Sequence, residues 1–351
     1  MAFNNKVFAF GKFLLSAVGG AEKSTYKILE SWQEGGADVC LIGFKGLAMF
    51  GAGQLKLKDG RFKVLEIEGM TELKRFSYLE YCLNRAGLKK FFMHLEPSKK
   101  MITYGTYAPI CAVTYDGDVC IYPRCEYDLG IVNNYFSGLR KYMKYLYIWI
   151  EMPFIRIFRA DLKKALHQNN VTVVANSKYM KRRIEVLFKL RNVTIEYPKV
   201  DRDSLRQELQ NVADDHPKGI VFVGDNHLKG LGLVLSIARK IPEEPFFIFC
   251  RMPPETVPVN VICKSWLSSA QMYAYAKLVI VPSQWEEAYG RVAREAFVLG
   301  IPVLVSERGG LPEAVDESSA CVVKAYHDVN AWVFKIKSFL SHKKNYAQAN
   351  L

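Results

Sequence analysis

The sequence predicts an α/β protein of two Rossmann-like, doubly wound domains facing an interdomain cleft. Three observations carry this expectation. Short apolar runs of strand length alternate with helix-length segments from one end of the chain to the other, the pattern of parallel sheets covered by helices. A polar break over residues 201–218, rich in Asp, Gln and Asn and ending His216-Pro217-Lys218-Gly219, separates two such series. The length, 351 residues of which 50% are hydrophobic, suffices for two cores of ordinary size. The expected division is therefore 1–200, a linker at 201–218, and 219–351, with the last helix free to return to the first domain.

In the first half, strands are expected where β-branched and aromatic residues cluster: 7–10, 38–44, 101–104, 118–122 and 171–175. Helix-length segments at 21–32, 72–86 and 135–168 lie between them. The second half repeats the alternation, with strands at 220–224, 245–250, 259–263, 278–281 and 302–305 and helices at 231–240, 270–277 and 291–299. Lys6 and Lys12 precede a short apolar segment, 13–18, in a signal-like arrangement. A first strand running into a Gly-containing loop and helix accounts for it better.

Composition excludes several classes. Aromatic content of 13% argues against disorder, and 24 Gly and 14 Pro without a period argue against collagen-like or low-complexity architecture. No repeat recurs at 20–50 residues, and no apolar run reaches the ~18 residues that span a bilayer. The eight cysteines include no C-x-x-C pair and no His at zinc-ligand spacing, so no metal framework is expected. Several sit inside apolar runs, where free thiols behave as small core residues, which points to a reducing compartment such as the cytoplasm.

Charge is the unusual quantity. The formal net charge is +13, and residues 131–191 hold 13 Lys and Arg against 3 Asp and Glu. One stretch thus carries +10 of the imbalance, and an anionic partner should meet it there. Aromatic and aliphatic residues surround Arg140, Lys141, Lys144, Arg156 and Arg159, which suits either a membrane interface or a long core helix, broken at Pro153, with a solvated basic face.

The densest chemical signal is Pro282-Ser283-Gln284-Trp285-Glu286-Glu287-Ala288-Tyr289-Gly290-Arg291-Val292-Ala293-Arg294-Glu295-Ala296, followed by Gly300-Ile301-Pro302-Val303 and Gly309-Gly310-Leu311-Pro312-Glu313. A strand ends, a loop follows and a helix begins. Gly290 lets the backbone approach a ligand closely, and the first-turn N–H groups near Arg291 and Val292 can cradle a phosphate. Glu287 before the helix and Glu295 within it can face one cleft from different depths, and carboxylates accept bidentate hydrogen bonds from sugar hydroxyls.

This segment resembles the carboxy-terminal domain of the retaining glycosyltransferases of family 4, which have the GT-B fold. The family's E-x7-E element matches Glu287 and Glu295, and the flanking P-S, G-x-P-V and G-G-x-x-E pieces match in order. The resemblance implies that Glu287 contacts donor-sugar hydroxyls and Glu295 holds the nucleotide ribose. It also implies that backbone from Ala288 through Tyr289, Gly290 and Arg291 to Val292 meets the sugar and diphosphate. Val223-Gly224-Asp225-Asn226-His227-Leu228-Lys229-Gly230 resembles the family's phosphate-binding segment, with Lys229 as the diphosphate cation. The family commonly has Arg after the first Gly, where this chain has Asp225. Either Lys229 suffices, Arg291 or Arg294 substitutes, or activity is weak or lost.

In the first half, Gly19-Gly20-Ala21-Glu22 resembles the family's Gly-rich loop facing donor phosphates and acceptor. Asn176-Ser177 resembles its N-S element, whose role here is to turn the chain or more. Arg124, with Glu126 and Asp128, follows the 118–122 strand and is a catalytic-cleft candidate, with a surface ion-pair cluster as the competing explanation. His94 is read as packed surface or core rather than as a base. Arg251, Lys264 and Trp266 are candidates for the side that meets the nucleobase. Asp116-Gly117-Asp118 has metal-bridging spacing but reads as a turn.

The expected function is a metal-independent, retaining transfer of a hexose from a nucleoside diphosphate sugar, GDP-mannose or a UDP-hexose. The acceptor would be a glycan or lipid-linked and bound by the first domain. An anionic membrane surface is a candidate partner, and nucleic acid is not expected. A GT-B epimerase or phosphorylase and a non-catalytic sugar-nucleotide-binding protein stay open, because fold does not fix reaction.

Overall fold

Strands such as Gly219–Val223 and Phe246–Phe249 are buried at every position, the mark of parallel strands covered on both faces. The computed structural model describes residues 5–12, 14–15, 20–45, 62–73, 75–96, 98, 100–133, 135, 138–212 and 216–341. The chain divides into two units, Met1–Lys199 and Val200–Leu351.

The first unit contains β1 (Lys6–Phe10), β2 (Asp38–Phe44), β3 (Lys63–Ile67), β4 (Lys100–Thr103), β5 (Val119–Ile121), β6 (Val171–Ala175) and β7 (Thr194–Ile195). They form one parallel sheet in the order β3-β2-β1-β4-β5-β6-β7. Its helices are α1 (Gly20–Glu34), α2 (Ser77–Met93), α3 (Ala108–Thr114), α4 (Gly138–Leu166) and α5 (Lys178–Phe188). Alternate side chains of β1 enter two different cores. Ala9 joins Leu29, Leu41, Ile102 and Cys120 on one face. On the other, Phe10 packs edge-on against Phe92, with ring centroids 4.9 Å apart, and against Phe44 at 6.2 Å.

The second unit contains β8 (Gly219–Val223), β9 (Phe246–Phe249), β10 (Val261–Lys264), β11 (Ala276–Val281), β12 (Val303–Ser306) and β13 (Val322–Val323), parallel in the order β10-β9-β8-β11-β12-β13. Its helices are α6 (Arg202–Gln210), α7 (Leu231–Lys240), α8 (Ser269–Tyr273), α9 (Arg291–Val298), α10 (Leu311–Ala314) and α11 (Val329–Ser341). Part of the expected linker is thus helical: α6 has no buried side chain, and Asp201 caps it by accepting the Ser204 N–H at 3.0 Å.

Both strand orders reverse direction at one point, between β1 and β4 in the first sheet and between β8 and β11 in the second. The loops that leave the carboxyl ends of strands beside such a reversal diverge and open a crevice. All ten expected strands are present. The missed ones, β3, β7 and β13, are the short or exposed edges; β3 buries only Ile67, so it shows no apolar run.

Helix α4 runs through Pro153 unbroken. It is held to α2 by its only two acids. Glu151 accepts the backbone N–H groups of Tyr78 (2.9 Å) and Leu79 (3.3 Å), and so caps the start of α2. Asp161 accepts the Tyr81 hydroxyl at 2.8 Å and a fork from Arg85, Nε at 2.7 Å and Nη2 at 2.9 Å. Burial pushes the Asp161 carboxyl up, but hydrogen bonds from Arg85 and Tyr81 outweigh it and hold the group below the usual carboxylate range.

All eight cysteines are free thiols. Among the described residues, no helix is long and apolar enough to cross a membrane. Asp161→Ala removes three acceptor contacts and strands the buried Tyr81 hydroxyl. It should cost the first unit about 2–3 kcal/mol in urea unfolding. Because the folded pKa of Asp161 is lowered, the difference from wild type should persist above pH ~4 and shrink as the carboxylate protonates.

Candidate active site

The site in the second unit is built where β8 and β11 end side by side. After β8, Gly224 leads into a short 3-10 turn, His227–Lys229, which Asn226 caps by accepting the Lys229 N–H at 3.0 Å. Gly230 closes the turn at φ +92°, and a Cβ there would lie 2.1 Å from the Pro282 carbonyl oxygen. Only glycine allows both the conformation and the approach. The turn is thereby pressed onto the loop after β11, and the Gln284 N–H donates to the Leu228 carbonyl at 2.8 Å. Ser306, at the end of β12, donates to the carbonyls of Val281 (3.1 Å) and Ser283 (2.8 Å), tying in the third loop.

These contacts place Lys229 Nζ 2.6 Å from Glu287 Oε1, which also accepts the Ser283 hydroxyl at 2.7 Å. Glu287 is 7% exposed, and Lys229 lies 5.2 Å from the centre of the Trp285 ring. Burial pushes the Glu287 carboxyl up, but the adjacent Lys229 ammonium and the bonds from Lys229 and Ser283 prevail and hold it below its ordinary range. Behind it, the Gly310 N–H donates to the Glu287 carbonyl at 2.7 Å, and a Cβ on Gly309 would stand 2.0 Å from that oxygen. The adjoining Glu286 accepts the Gly309 N–H at 2.7 Å and pairs with Arg308 at 2.7 Å. A cation, a buried carboxylate and the first turn of α9, which opens after Gly290 at φ +107°, are thus set around one strand-end crevice. Such a set can hold an anionic group beside a hydroxyl-bearing one.

Glu295, within α9, does not join this pair. It is 4% exposed, accepting the Tyr273 hydroxyl at 3.0 Å and a fork from Arg291, Nε at 3.0 Å and Nη2 at 2.9 Å. Of the cations offered as substitutes for the Arg missing at position 225, Arg291 is therefore committed to Glu295, and Arg294 pairs with Asp316 at 2.7 Å. Asp225 itself stands half-buried beside Gly224, in contact with the Asn226 amide at 3.3 Å. Ala288 and Tyr289 are buried in the loop. Arg251 and Trp266 lie together past the ends of β9 and β10, the guanidinium 5.5 Å from the indole centre.

In the first unit, Arg124 follows β5. It is half-buried, its Nη2 donates to Thr25 Oγ1 at 3.1 Å, and its guanidinium lies 5.0 Å from the Tyr122 ring centre. Its backbone N–H donates to Asp128 at 2.7 Å; burial pushes the Asp128 carboxyl up to about 6. Glu126 turns elsewhere, to Arg183 (2.8 Å), Tyr179 (2.7 Å) and Asn133 (2.6 Å). Ser177 caps α5 by accepting the Met180 N–H at 3.0 Å, which is a chain-turning role. His94 ends α2, exposed, with Nδ1 2.7 Å from the Lys90 carbonyl oxygen. Asp116-Gly117-Asp118 forms the bend before β5. Gly20 opens α1, whereas Gly19 lies outside the described residues. Among the described residues, no three His, Cys, Asp or Glu side chains form a metal-binding group.

Ser283, Glu286, Arg308 and Tyr273 were not singled out as functional from sequence. The signal for the first three was present in the P-S and G-G pieces, but only the folded loops show that these pieces serve to hold Glu287.

The Glycosyl transferases group 1 family matches residues 257–350. Spore coat protein SA of Bacillus subtilis (strain 168) is 24% identical over 144 residues, covering 39% of this chain and 35% of that protein. D-inositol 3-phosphate glycosyltransferase of Mycobacterium sp. (strain KMS) is 42% identical over 71 residues, 20% of this chain and 16% of that one. The chain spans only about a third of the Bacillus relative and a sixth of the mycobacterial one. Sucrose-phosphate synthase (tll1590) from Thermosynechococcus elongatus superposes at TM-score 0.71 with 14% identity, over 98% of this chain and 93% of that one. Anabaena Alr3699/HepE, in complex with UDP and glucose, does so at 0.62 with 14% identity, over 98% and 91%. The chain thus has a two-domain, parallel-sheet α/β fold of the GT-B type, and its carboxy-terminal part carries the match to the group 1 glycosyltransferase family.

Proposed function

We propose that this chain is a retaining glycosyltransferase of family 4 type that moves a hexose from a nucleoside diphosphate sugar to a glycan or lipid-linked acceptor. The observation that carries the proposal is the Lys229–Glu287 pair at the β8/β11 reversal, beside the first turn of α9. In it Lys229 and the first-turn N–H groups at Arg291 and Val292 hold the diphosphate, and Glu287 accepts hydrogen bonds from the sugar hydroxyls. The bond from the anomeric carbon to the phosphate oxygen breaks while negative charge builds on the diphosphate, which Lys229 stabilises. The acceptor hydroxyl attacks the same face and gives its proton to a departing phosphate oxygen. Chemistry of this kind needs charge stabilisation and positioning more than a strong base.

The first unit takes the acceptor, with Arg124 and the Gly19-Gly20 segment as the residues that serve it. Arg251 and Trp266 meet the nucleobase side of GDP-mannose or a UDP-hexose, and Glu295 the ribose, once Tyr273 or Arg291 yields a bond. The protein works in a reducing compartment, the cytoplasm, peripheral to an anionic membrane. The complex of Anabaena Alr3699/HepE with UDP and glucose supports the donor class.

A second reading has a specific motive in Asp225, an acid beside the phosphate segment: a protein that binds a sugar nucleotide without turning it over. Incubation with donor alone and with an acceptor panel separates transfer, epimerisation or hydrolysis, and binding without chemistry.

Lys229→Ala and Glu287→Ala should each lower transfer by at least ~100-fold with the fold intact by circular dichroism; near wild-type turnover in either sinks the site. EDTA should leave activity unchanged, because Lys229 and the helix start take the electrostatic role of a metal. The lowered folded pKa of Glu287 sets the sign of a third outcome. Its stabilising contribution is present above pH ~4.3, the ordinary glutamate value, and is lost as pH falls through the lower folded value. Glu287→Gln should therefore be less stable than wild type at pH 7 and approach it on acidification, as read by thermal unfolding.

A further inference from the structure

Helix α4 presents an apolar face where a solvated helix should be polar. Leu139 is 78% exposed, Tyr142 70%, Leu146 59% and Trp149 74%, with Met143 beside them at 64%. At 100° per residue Tyr142, Leu146 and Trp149 point away from the stripe that Tyr147, Glu151, Ile155 and Phe158 direct into the unit, while Leu139 and Met143 are exposed near the helix start at the edge of that stripe. A monomer rarely leaves so contiguous an aromatic and aliphatic patch in water without a use for it.

The charges around the patch have one sign. Both acids of the helix, Glu151 and Asp161, are buried as anchors to α2, so the solvent side of α4 carries cations only. Lys141 is exposed at its start, and Arg156 is exposed two turns beyond Trp149 on the same face, whereas Lys144 is half-buried on the inward row, its Nζ 4.1 Å from the Tyr147 ring centre. Long cationic side chains flanking exposed Tyr, Trp and Leu match the two zones of a lipid interface, headgroup phosphates and acyl boundary. Nucleic acid would stack on the aromatics and meet the cations, but has no use for Leu139, Met143 and Leu146.

We propose that the first two-thirds of α4, residues 139–157, lies in the plane of an anionic bilayer, inserting Tyr142, Leu146 and Trp149 below headgroups held by Lys141 and Arg156. This deepens the proposed function, on which it rests only for its consequence: the acceptor is lipid-linked, presented by the same surface. It also narrows the membrane contact from the whole basic stretch to part of one helix. The basic residues of α5 are not part of the patch. Because apolar insertion adds to charge attraction, salt should weaken binding without abolishing it.

The test uses the full chain with vesicles of phosphatidylcholine alone or with 30% phosphatidylglycerol, scored by flotation. Wild type should float with the anionic vesicles, at least tenfold more than with neutral ones, and part should stay bound in 1 M salt. Trp149→Ser with Leu146→Ser should lose the salt-resistant fraction, and Lys141→Glu with Arg156→Glu the preference for anionic vesicles. Thermal shift with UDP-glucose and GDP-mannose, run on the same proteins, reports the donor site separately. Donor binding without flotation overturns the bilayer proposal while leaving the transferase one standing, and flotation without donor binding does the reverse. Two other results also overturn it: complete release by salt, or self-association without vesicles that Trp149→Ser abolishes.

Discussion

A buried carboxylate must be paired, and much of the second unit's strand-end architecture serves that requirement at Glu287. Its charge is held by Lys229 and Ser283, its carbonyl by the Gly310 N–H, and its neighbour Glu286 grips the Gly309 N–H and Arg308. Three loops from β8, β11 and β12 must converge for this to happen. They converge because the strands are parallel and adjacent, so all three leave at the same edge. Glycine at 230 and 309 is what lets the backbones touch, since a methyl group at either position would overlap a carbonyl oxygen.

The first unit solves a similar problem differently. There the buried acids are structural: Glu151 and Asp161 bolt α4 to α2 through backbone N–H groups, Tyr81 and Arg85. Using its acids inward leaves α4 with a cationic exterior. The excess charge of residues 131–191 is therefore partly a by-product of how one helix is fastened, and partly a surface with a partner to find.

The chain departs from the pattern it resembles at one position of the phosphate-binding segment. Asp225 replaces the customary Arg, and neither Arg291 nor Arg294 is disengaged to replace it, because Glu295 and Asp316 hold them. Lys229 is then the cation left beside Glu287, and it is itself paired. The two groups neutralise each other, and an anion bound at Lys229 would compete with Glu287 for that ammonium.

The sequence by itself determined the parallel α/β class, ten of the strands and the glycine-bearing loops that follow them, because buried strands need unbroken apolar runs and tight strand-to-helix loops need glycine at fixed points. Val7 to Phe10 and Phe246 to Phe249 show the first, Gly224, Gly230 and Gly290 the second. The edge strands β3, β7 and β13, the fate of Glu295 and the exposed face of α4 were not legible. An edge strand such as β3 has no apolar signature, since solvent covers most of it. Glu295 has the right spacing from Glu287, yet Tyr273 and Arg291 engage it, and Tyr273 comes from a different helix. The periodicity of α4 is apolar around its whole circumference, so only packing against α2 could decide which stripe is core and which is left facing outward.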